Sequence, residues 1–277
     1  MKLFTIDLKK EYPFLQGGLL ECLVSENPFD VGAENWKRPA LIVIPGGGYA
    51  MVSRREGVPV ASAFFAKGFQ VFILKYLTAE DDVRYPEQLL EAASAVDYIK
   101  KNADSLNVNK DEVFVVGFSA GGHLTANLAV EHQCVASKIG VELDCKPTAV
   151  GLGYPVISKK HGHFGSYDNL LQGYTDEAKE ELLKTLNLNE SVSEHTPPAF
   201  IWATATDNVV PADNALRYAL ALANQNIPYE LHIYPEGVHG LSVGHYEVNP
   251  ITDSAKRVSD WVDACSTFFR MYTVEKF

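Results

Sequence analysis

Ser119, Asp207 and His239 are, in that chain order, residues that could together perform acyl transfer. A serine hydroxyl is a poor nucleophile near neutral pH and needs a base. Histidine can be that base when a carboxylate holds its tautomer and stabilises the imidazolium. Ser119 lies in Val113-Phe114-Val115-Val116-Gly117-Phe118-Ser119-Ala120-Gly121-Gly122-His123, where an apolar run ends in glycine and a helical pattern starts at once. The G-x-S-x-G spacing asks a strand to turn into a helix within about two residues, holding the serine oxygen exposed on a strained turn. A Cβ at Gly117 or Gly121 would collide with the neighbouring strand or helix. The amide of Ala120 opens the helix and points at the space beside Ser119, where an oxyanion would form. Taken alone, the pattern also fits an ordinary strand-to-helix turn that contains a serine.

A second stretch bears on the same chemistry. The apolar run Ala40-Leu41-Ile42-Val43-Ile44 ends in Pro45-Gly46-Gly47-Gly48-Tyr49. Glycines after a buried strand let backbone amides face outward, and two such amides with Ala120 would make an oxyanion hole. A phosphate loop would need G-x-x-x-x-G-K-[ST], or G-x-G-x-x-G opening a helix, and neither is present.

Asp207 and His239 each have rivals. Asp213 is the other acid nearby, but it falls in the first turn of a helix, where a carboxylate has a sufficient dipole role. Asp207 itself could be a turn residue. Among the remaining histidines, His123 sits inside the helix after the elbow and His232 within a strand, while His161, His163, His195 and His245 fall in loops. None has metal-ligand spacing, so no metal and no cofactor is expected.

The elements that must position these residues follow from periodicity. Residues 3–8 and 19–24 read as an antiparallel edge hairpin, and 26–39 as polar and turn-rich. Apolar strands are expected at 40–44, 69–76, 113–118, 149–157, 199–205 and 229–234. Between them, helices are expected at 59–68, from Pro86 with Leu89, Ala92, Val96 and Ile99 on one face, at 121–132, at 211–226 and at 251–272. This alternation predicts an α/β fold, a mostly parallel central sheet with helices on both faces, as one domain over residues 1–277. Ser119, Asp207 and His239 then stand just past the carboxyl ends of three strands, where sites assemble in open α/β sheets. Residues 158–196 break the alternation. They read as a small cap-like insertion near the site, a loop followed by one amphipathic helix over 177–186.

Composition excludes several classes. The chain has 277 residues, 47% hydrophobic and 21% charged, with net charge −11. That charge argues against nucleic acid or an anionic membrane as partner. Met1-Lys2-Leu3-Phe4 turns polar without the apolar core of a signal peptide, so a cytoplasmic location is expected. Cys22, Cys134, Cys145 and Cys265 are scattered and read as free thiols. The edge strands and the last helix leave room for a homodimer.

These stretches resemble the carboxylesterases of the α/β-hydrolase superfamily, within the lipase/esterase and acetyl-xylan-esterase-like group. The resemblance covers roughly residues 35–270 and rests on Ile44-Pro45-Gly46-Gly47-Gly48-Tyr49, Gly117-Phe118-Ser119-Ala120-Gly121-Gly122-His123, Tyr154-Pro155-Val156-Ile157, Thr196-Pro197-Pro198-Ala199-Phe200, Asp207-Asn208-Val209-Val210-Pro211 and Glu236-Gly237-Val238-His239-Gly240. Many members have histidine before the glycines, where this chain has Pro45. The resemblance implies a serine esterase with Ser119, Asp207 and His239 catalytic, and Gly47, Gly48 and Ala120 as oxyanion donors. Tyr49, Arg55 and Tyr154 are the candidate substrate-binding residues. The loops over the site mix aromatic and charged groups, which suits acetyl to butyryl esters of small polar alcohols, such as acetylated sugars, better than lipids. An amide hydrolase of small-peptidase or arylformamidase-like type would use the same three residues, and a non-catalytic binder could keep the fold.

Overall fold

The computed structural model describes residues 1–26, 36–161, 163–249 and 254–274. Most of the stretch read as turn-rich, 27–35, and the start of the last expected helix, 251–253, lie outside the described residues. The elements run β1 (Lys2–Asp7), α1 (Leu8–Glu11), β2 (Leu19–Val24), β3 (Arg38–Ile44), α2 (Val58–Ala66), β4 (Gln70–Lys75), α3 (Glu87–Lys101), β5 (Val108–Phe118), α4 (Ala120–Glu131) and α5 (Val135–Ile139). They continue with β6 (Val150–Gly153), α6 (Phe164–Leu170), α7 (Asp176–Leu186), β7 (Ala199–Thr204), α8 (Asp213–Asn224), β8 (Tyr229–Tyr234) and α9 (Trp261–Arg270).

The strands form one sheet in the order β1-β2-β4-β3-β5-β6-β7-β8. The β1–β2 and β2–β4 pairings are antiparallel, and every pairing from β4 to β8 is parallel. Strand residues alternate between two cores. Ala40, Ile42 and Ile44 of β3 pack with Val113 and Val115 of β5 under α3 and α4, which contribute Leu89, Val96, Leu124 and Leu128. Leu41, Val43, Phe114 and Val116 face the other way, onto Val60 and Phe64 of α2 and Trp261, Cys265 and Phe269 of α9. Both faces are covered, which is why these strands are apolar at every position rather than alternating with polar residues.

The strand order places the site. From β3 the chain moves outward to β4, then returns to β5 on the opposite side of β3. The loops after β3 and β5 therefore diverge at adjacent carboxyl ends and open a crevice between them. These two loops carry Gly46-Gly47-Gly48 and Ser119.

Several elements differ from expectation, among them β5, which starts at Val108 rather than 113, and the short α1 and α5, which were not expected. β6 stops at Gly153 rather than running to 157, because Tyr154 takes a positive φ of 37° and leaves the strand direction. Among the described residues of 158–196 there are two α-helices, not one. α6 carries little helical signal in the sequence because Gly165, Ser166, Asp168 and Asn169 are weak helix formers. Burial of Ser166, Tyr167 and Leu170 against the domain holds it instead. The last helix begins as a 3₁₀ turn over Ser254–Asp260 and becomes α-helical only at Trp261. Among the described residues, no helix is long and apolar enough to cross a membrane.

Candidate active site

Ser119 stands between β5 and α4 with φ 52° and ψ −118°, a strained conformation for a residue with a side chain. Close packing accounts for its neighbours. A Cβ on Gly117 would stand 2.2 Å from the Gly121 carbonyl oxygen, and one on Gly121 would stand 2.2 Å from that of Ile44. The strand end, the helix start and β3 thus meet with no room for side chains. The elbow is pinned on both sides, since Ser119 N donates to Gly153 O at 3.0 Å and Val156 N donates to Ser119 O at 3.1 Å. The residues expected to extend β6 serve the elbow instead.

Three side chains from three strand ends then join. His239 Nε2 lies 2.8 Å from Ser119 Oγ, and His239 Nδ1 lies 2.7 Å from Asp207 Oδ2. The other oxygen of Asp207 accepts from Val209 N at 2.9 Å and Val210 N at 3.0 Å. With its carboxylate shielded from water, Asp207 is held as an acceptor facing the imidazole. Two threonines, which the sequence reading passed over, bring the β7 and β8 loops together. Thr204 and Thr206 both donate to Gly237 O, and Gly237 N donates back to Thr206 Oγ1 at 2.9 Å. The rival acid is elsewhere: Asp213 is half-exposed and pairs with His161 at 3.0 Å and Arg217 at 2.6 Å. His161 and His163 are also separated in role, since His163 alone lines the pocket.

The glycine loop lies across from the elbow. Gly47 and Gly48 take φ of 122° and 64°, and a Cβ on Gly47 would stand 2.0 Å from Met51 O. Among the described residues, the amides of Gly47, Gly48 and Ala120 meet no protein acceptor. Asn169 of α6 donates to Gly48 O at 2.8 Å and so fixes the loop. The insertion therefore braces the loop that carries two of the expected oxyanion donors. A cavity of about 560 Å³ opens over Ser119 and His239, bounded by Gly47, Gly48, Met51, Arg54, Arg55, His163, Asn169 and Val209. That volume suits a small ligand.

Arg55 lines this cavity, whereas the two candidate tyrosines do not. Tyr49 is 1% exposed, and its hydroxyl donates to His123 Nδ1 at 2.8 Å. His123 Nε2 in turn donates to Leu186 O at 3.2 Å, tying the elbow helix to the end of α7. Burial pushes the His123 imidazole down to about 4, so it stays neutral and structural. Tyr154 is 2% exposed and lies under the site, its ring edge-on to His239 with centroids 4.9 Å apart. Both are corrections to the substrate-binding assignment. An aromatic residue in a loop sequence carries no mark of which way its ring turns.

Glu56 is the functional neighbour that sequence reasoning missed. It is 2% exposed, and one oxygen accepts from Gly46 N at 2.8 Å while the other accepts from the Tyr154 hydroxyl at 2.7 Å. The Tyr154 oxygen accepts from Ser242 N at 3.1 Å. Burial, then the adjacent Glu56 charge, push the Tyr154 phenol well above its ordinary range, so it remains a donor. One carboxylate thus links the glycine loop, the end of β6 and the loop that carries His239. The available signal was one acid directly after two arginines just before α2, which reads equally well as solvated surface.

Known proteins are similar to this chain in sequence and fold. Residues 31–150 match the family described as BD-FAE. The chain is 37% identical over 216 residues to endo-1,4-beta-xylanase B of Butyrivibrio fibrisolvens, an alignment that covers 76% of this chain and 34% of that relative. The chain thus spans about a third of that relative's length. Among solved structures, MGS-M1, an alpha/beta hydrolase enzyme from a Medee basin deep-sea metagenome library, is 32% identical with a TM-score of 0.76, covering 98% of both chains. The acetyl ester-xyloside bifunctional hydrolase from Caldicellulosiruptor lactoaceticus is 29% identical with a TM-score of 0.81, covering 97% of this chain and 96% of its own.

Proposed function

This chain belongs to the α/β-hydrolase superfamily, and from that premise we propose that it is a carboxylesterase that cleaves acetyl to butyryl esters of polar alcohols, acetylated sugars among them, through an acyl-enzyme on Ser119. The observation that carries the reading is the unbroken chain from Ser119 Oγ to His239 at 2.8 Å and on to Asp207 at 2.7 Å, beside three amides without acceptors. Ser119 Oγ attacks the ester carbonyl as His239 Nε2 takes its proton. The amides of Gly47, Gly48 and Ala120 receive the oxyanion. His239 returns the proton to the leaving alcohol, and water repeats the sequence to free the acid.

The short acyl preference is supported by what bounds the cavity. Met51 and Val209 are its larger apolar side chains, beside Arg54, Arg55, His163 and Asn169. A dodecanoyl tail gains about 0.8 kcal/mol for each methylene covered, and a long apolar trough is needed to collect it. The acetylated-sugar reading also draws on the likeness to the acetyl ester-xyloside hydrolase.

Two measurements test the proposal. A fluorophosphonate probe should label Ser119, and Ser119→Ala in folded protein should lower esterase kcat/KM on the order of 10³-fold or more. Absence of labelling and of esterase activity would return the protein to the class of non-catalytic binders, and Ser119→Ala activity within tenfold of wild type would remove Ser119 as the nucleophile. The ratio of kcat/KM for butyryl and dodecanoyl esters of one phenol should favour butyryl. An anilide cleaved faster than the matching ester would favour amide hydrolysis instead.

A further inference from the structure

We propose that the leaving-alcohol side of this pocket is a carboxylate-binding subsite built on Arg55 with Arg54 beside it, so that the preferred substrates are short-chain esters of acidic sugars, O-acylated uronates; this rests on the esterase reading above. Arg55 is exposed, with its guanidinium against the backbone beside the base. A Cβ on Gly240, the residue after His239, would stand 2.4 Å from Arg55 Nη2, 2.8 Å from Cζ and 3.2 Å from Nε. The guanidinium therefore sits close against the backbone next to the base, in space that the glycine leaves open. The Arg55 backbone is also held, since Ser242 Oγ donates to its carbonyl at 2.6 Å. His239 protonates the departing alcohol, so a cation against Gly240 stands on the side from which that alcohol leaves.

Both guanidinium groups are without protein partners among the described residues. Among the described residues, neither Arg54 nor Arg55 has a carboxylate within 4.0 Å or an acceptor for its side chain, whereas Arg217 pairs with Asp213. This holds in a chain with 35 acidic residues against 24 basic ones. The acids nearest the pocket are already engaged. Glu56 is 2% exposed with both oxygens bonded to protein groups, and Asp207 is buried against His239 and two amides. The 560 Å³ cavity is lined on this side by both arginines, beside Ser53 and the already bonded Glu56. A planar guanidinium matches a carboxylate with two parallel hydrogen bonds, which a neutral alcohol cannot return.

The test is a matched pair of substrates: acetylated methyl glucuronoside, which carries the carboxylate, and its uronamide, nearly the same shape without the charge. At low ionic strength the wild-type kcat/KM should favour the uronate by about tenfold, the worth of one charge-assisted contact at a partly wet site. The ratio should collapse toward one in Arg55→Gln, persist in part in Arg55→Lys, and shrink as salt is added. The ratio is internal to each variant, so a general loss of activity does not mimic the result. A wild-type ratio of one or below, or a ratio untouched in Arg55→Gln, overturns the subsite. Cleavage of 4-nitrophenyl acetate and fluorophosphonate labelling of Ser119 report separately on the esterase reading. A flat ratio with both intact removes the subsite alone, and failure of both removes the reading beneath it.

Discussion

Asp207→Asn should disable the enzyme by reversing one proton while leaving the fold in place. Asp207 Oδ1 accepts from two backbone amides, Val209 N at 2.9 Å and Val210 N at 3.0 Å. An asparagine must keep its carbonyl oxygen there, because turning it would set an NH₂ against two N–H groups. Its NH₂ then lands where Oδ2 now accepts from His239 Nδ1 at 2.7 Å. Donor facing donor drives the imidazole to its other tautomer, with the proton on Nε2. That nitrogen lies 2.8 Å from Ser119 Oγ and, once protonated, cannot take the serine proton. Loss of the correct tautomer costs about 10⁴-fold in kcat, or about 5.5 kcal/mol of transition-state stabilisation. The change is isosteric and keeps both amide bonds, so the melting temperature should move by only a few degrees. Asp213→Asn is the control. Its side chain is half-exposed and bonded to His161 and Arg217, and its loss should change activity less than about twofold. The assay is kcat/KM on 4-nitrophenyl acetate, with Ser119→Ala as the floor. Asp207→Asn retaining more than a tenth of wild-type activity, or Asp213→Asn costing more than Asp207→Asn, would refute the assignment.

Glu56→Gln can keep the Gly46 bond but turns its NH₂ toward the Tyr154 oxygen, which already accepts from Ser242 N. The Tyr154 proton then lacks its charged acceptor, worth about 1.5–3 kcal/mol. Activity should fall about tenfold, mainly in kcat, with a lower melting temperature, and wild-type values for both would remove Glu56 from the support of the site. His123 has a folded pKa pushed by burial to about 4, against 6.5 for the exposed side chain. As pH falls through that window the unfolded chain takes up a proton that the folded chain refuses. Stability is therefore lost on acidification, on the order of 3 kcal/mol in all. The unfolding free energy of wild type minus that of His123→Gln, from urea titrations, should shrink by about that amount between pH 7 and 4, and a constant difference would contradict it.

What the sequence determined by itself was whatever is encoded locally. The apolar runs mark strands covered on both faces, and their alternation with helices specifies a mostly parallel sheet. Gly117-Phe118-Ser119-Ala120-Gly121 marks a turn where strand and helix touch, because glycine is the residue that fits such a contact. The order Ser119, Asp207, His239 follows from each residue standing just after a strand. Tertiary structure decided what depends on which surfaces meet. Tyr49 and Tyr154 look like pocket residues in a loop sequence, yet Tyr49 turns inward to His123 and Tyr154 to Glu56. Helix α6 has poor local propensity and exists because Tyr167 and Leu170 are buried, and only then can Asn169 reach Gly48. Glu56 meets Tyr154 across 98 positions of chain, and Thr206 meets Gly237 across 31. A hydrogen bond between distant residues leaves no periodicity and no composition signal in either segment. It forms because the order β4-β3-β5-β6-β7-β8 brings their strand ends to one edge of the sheet.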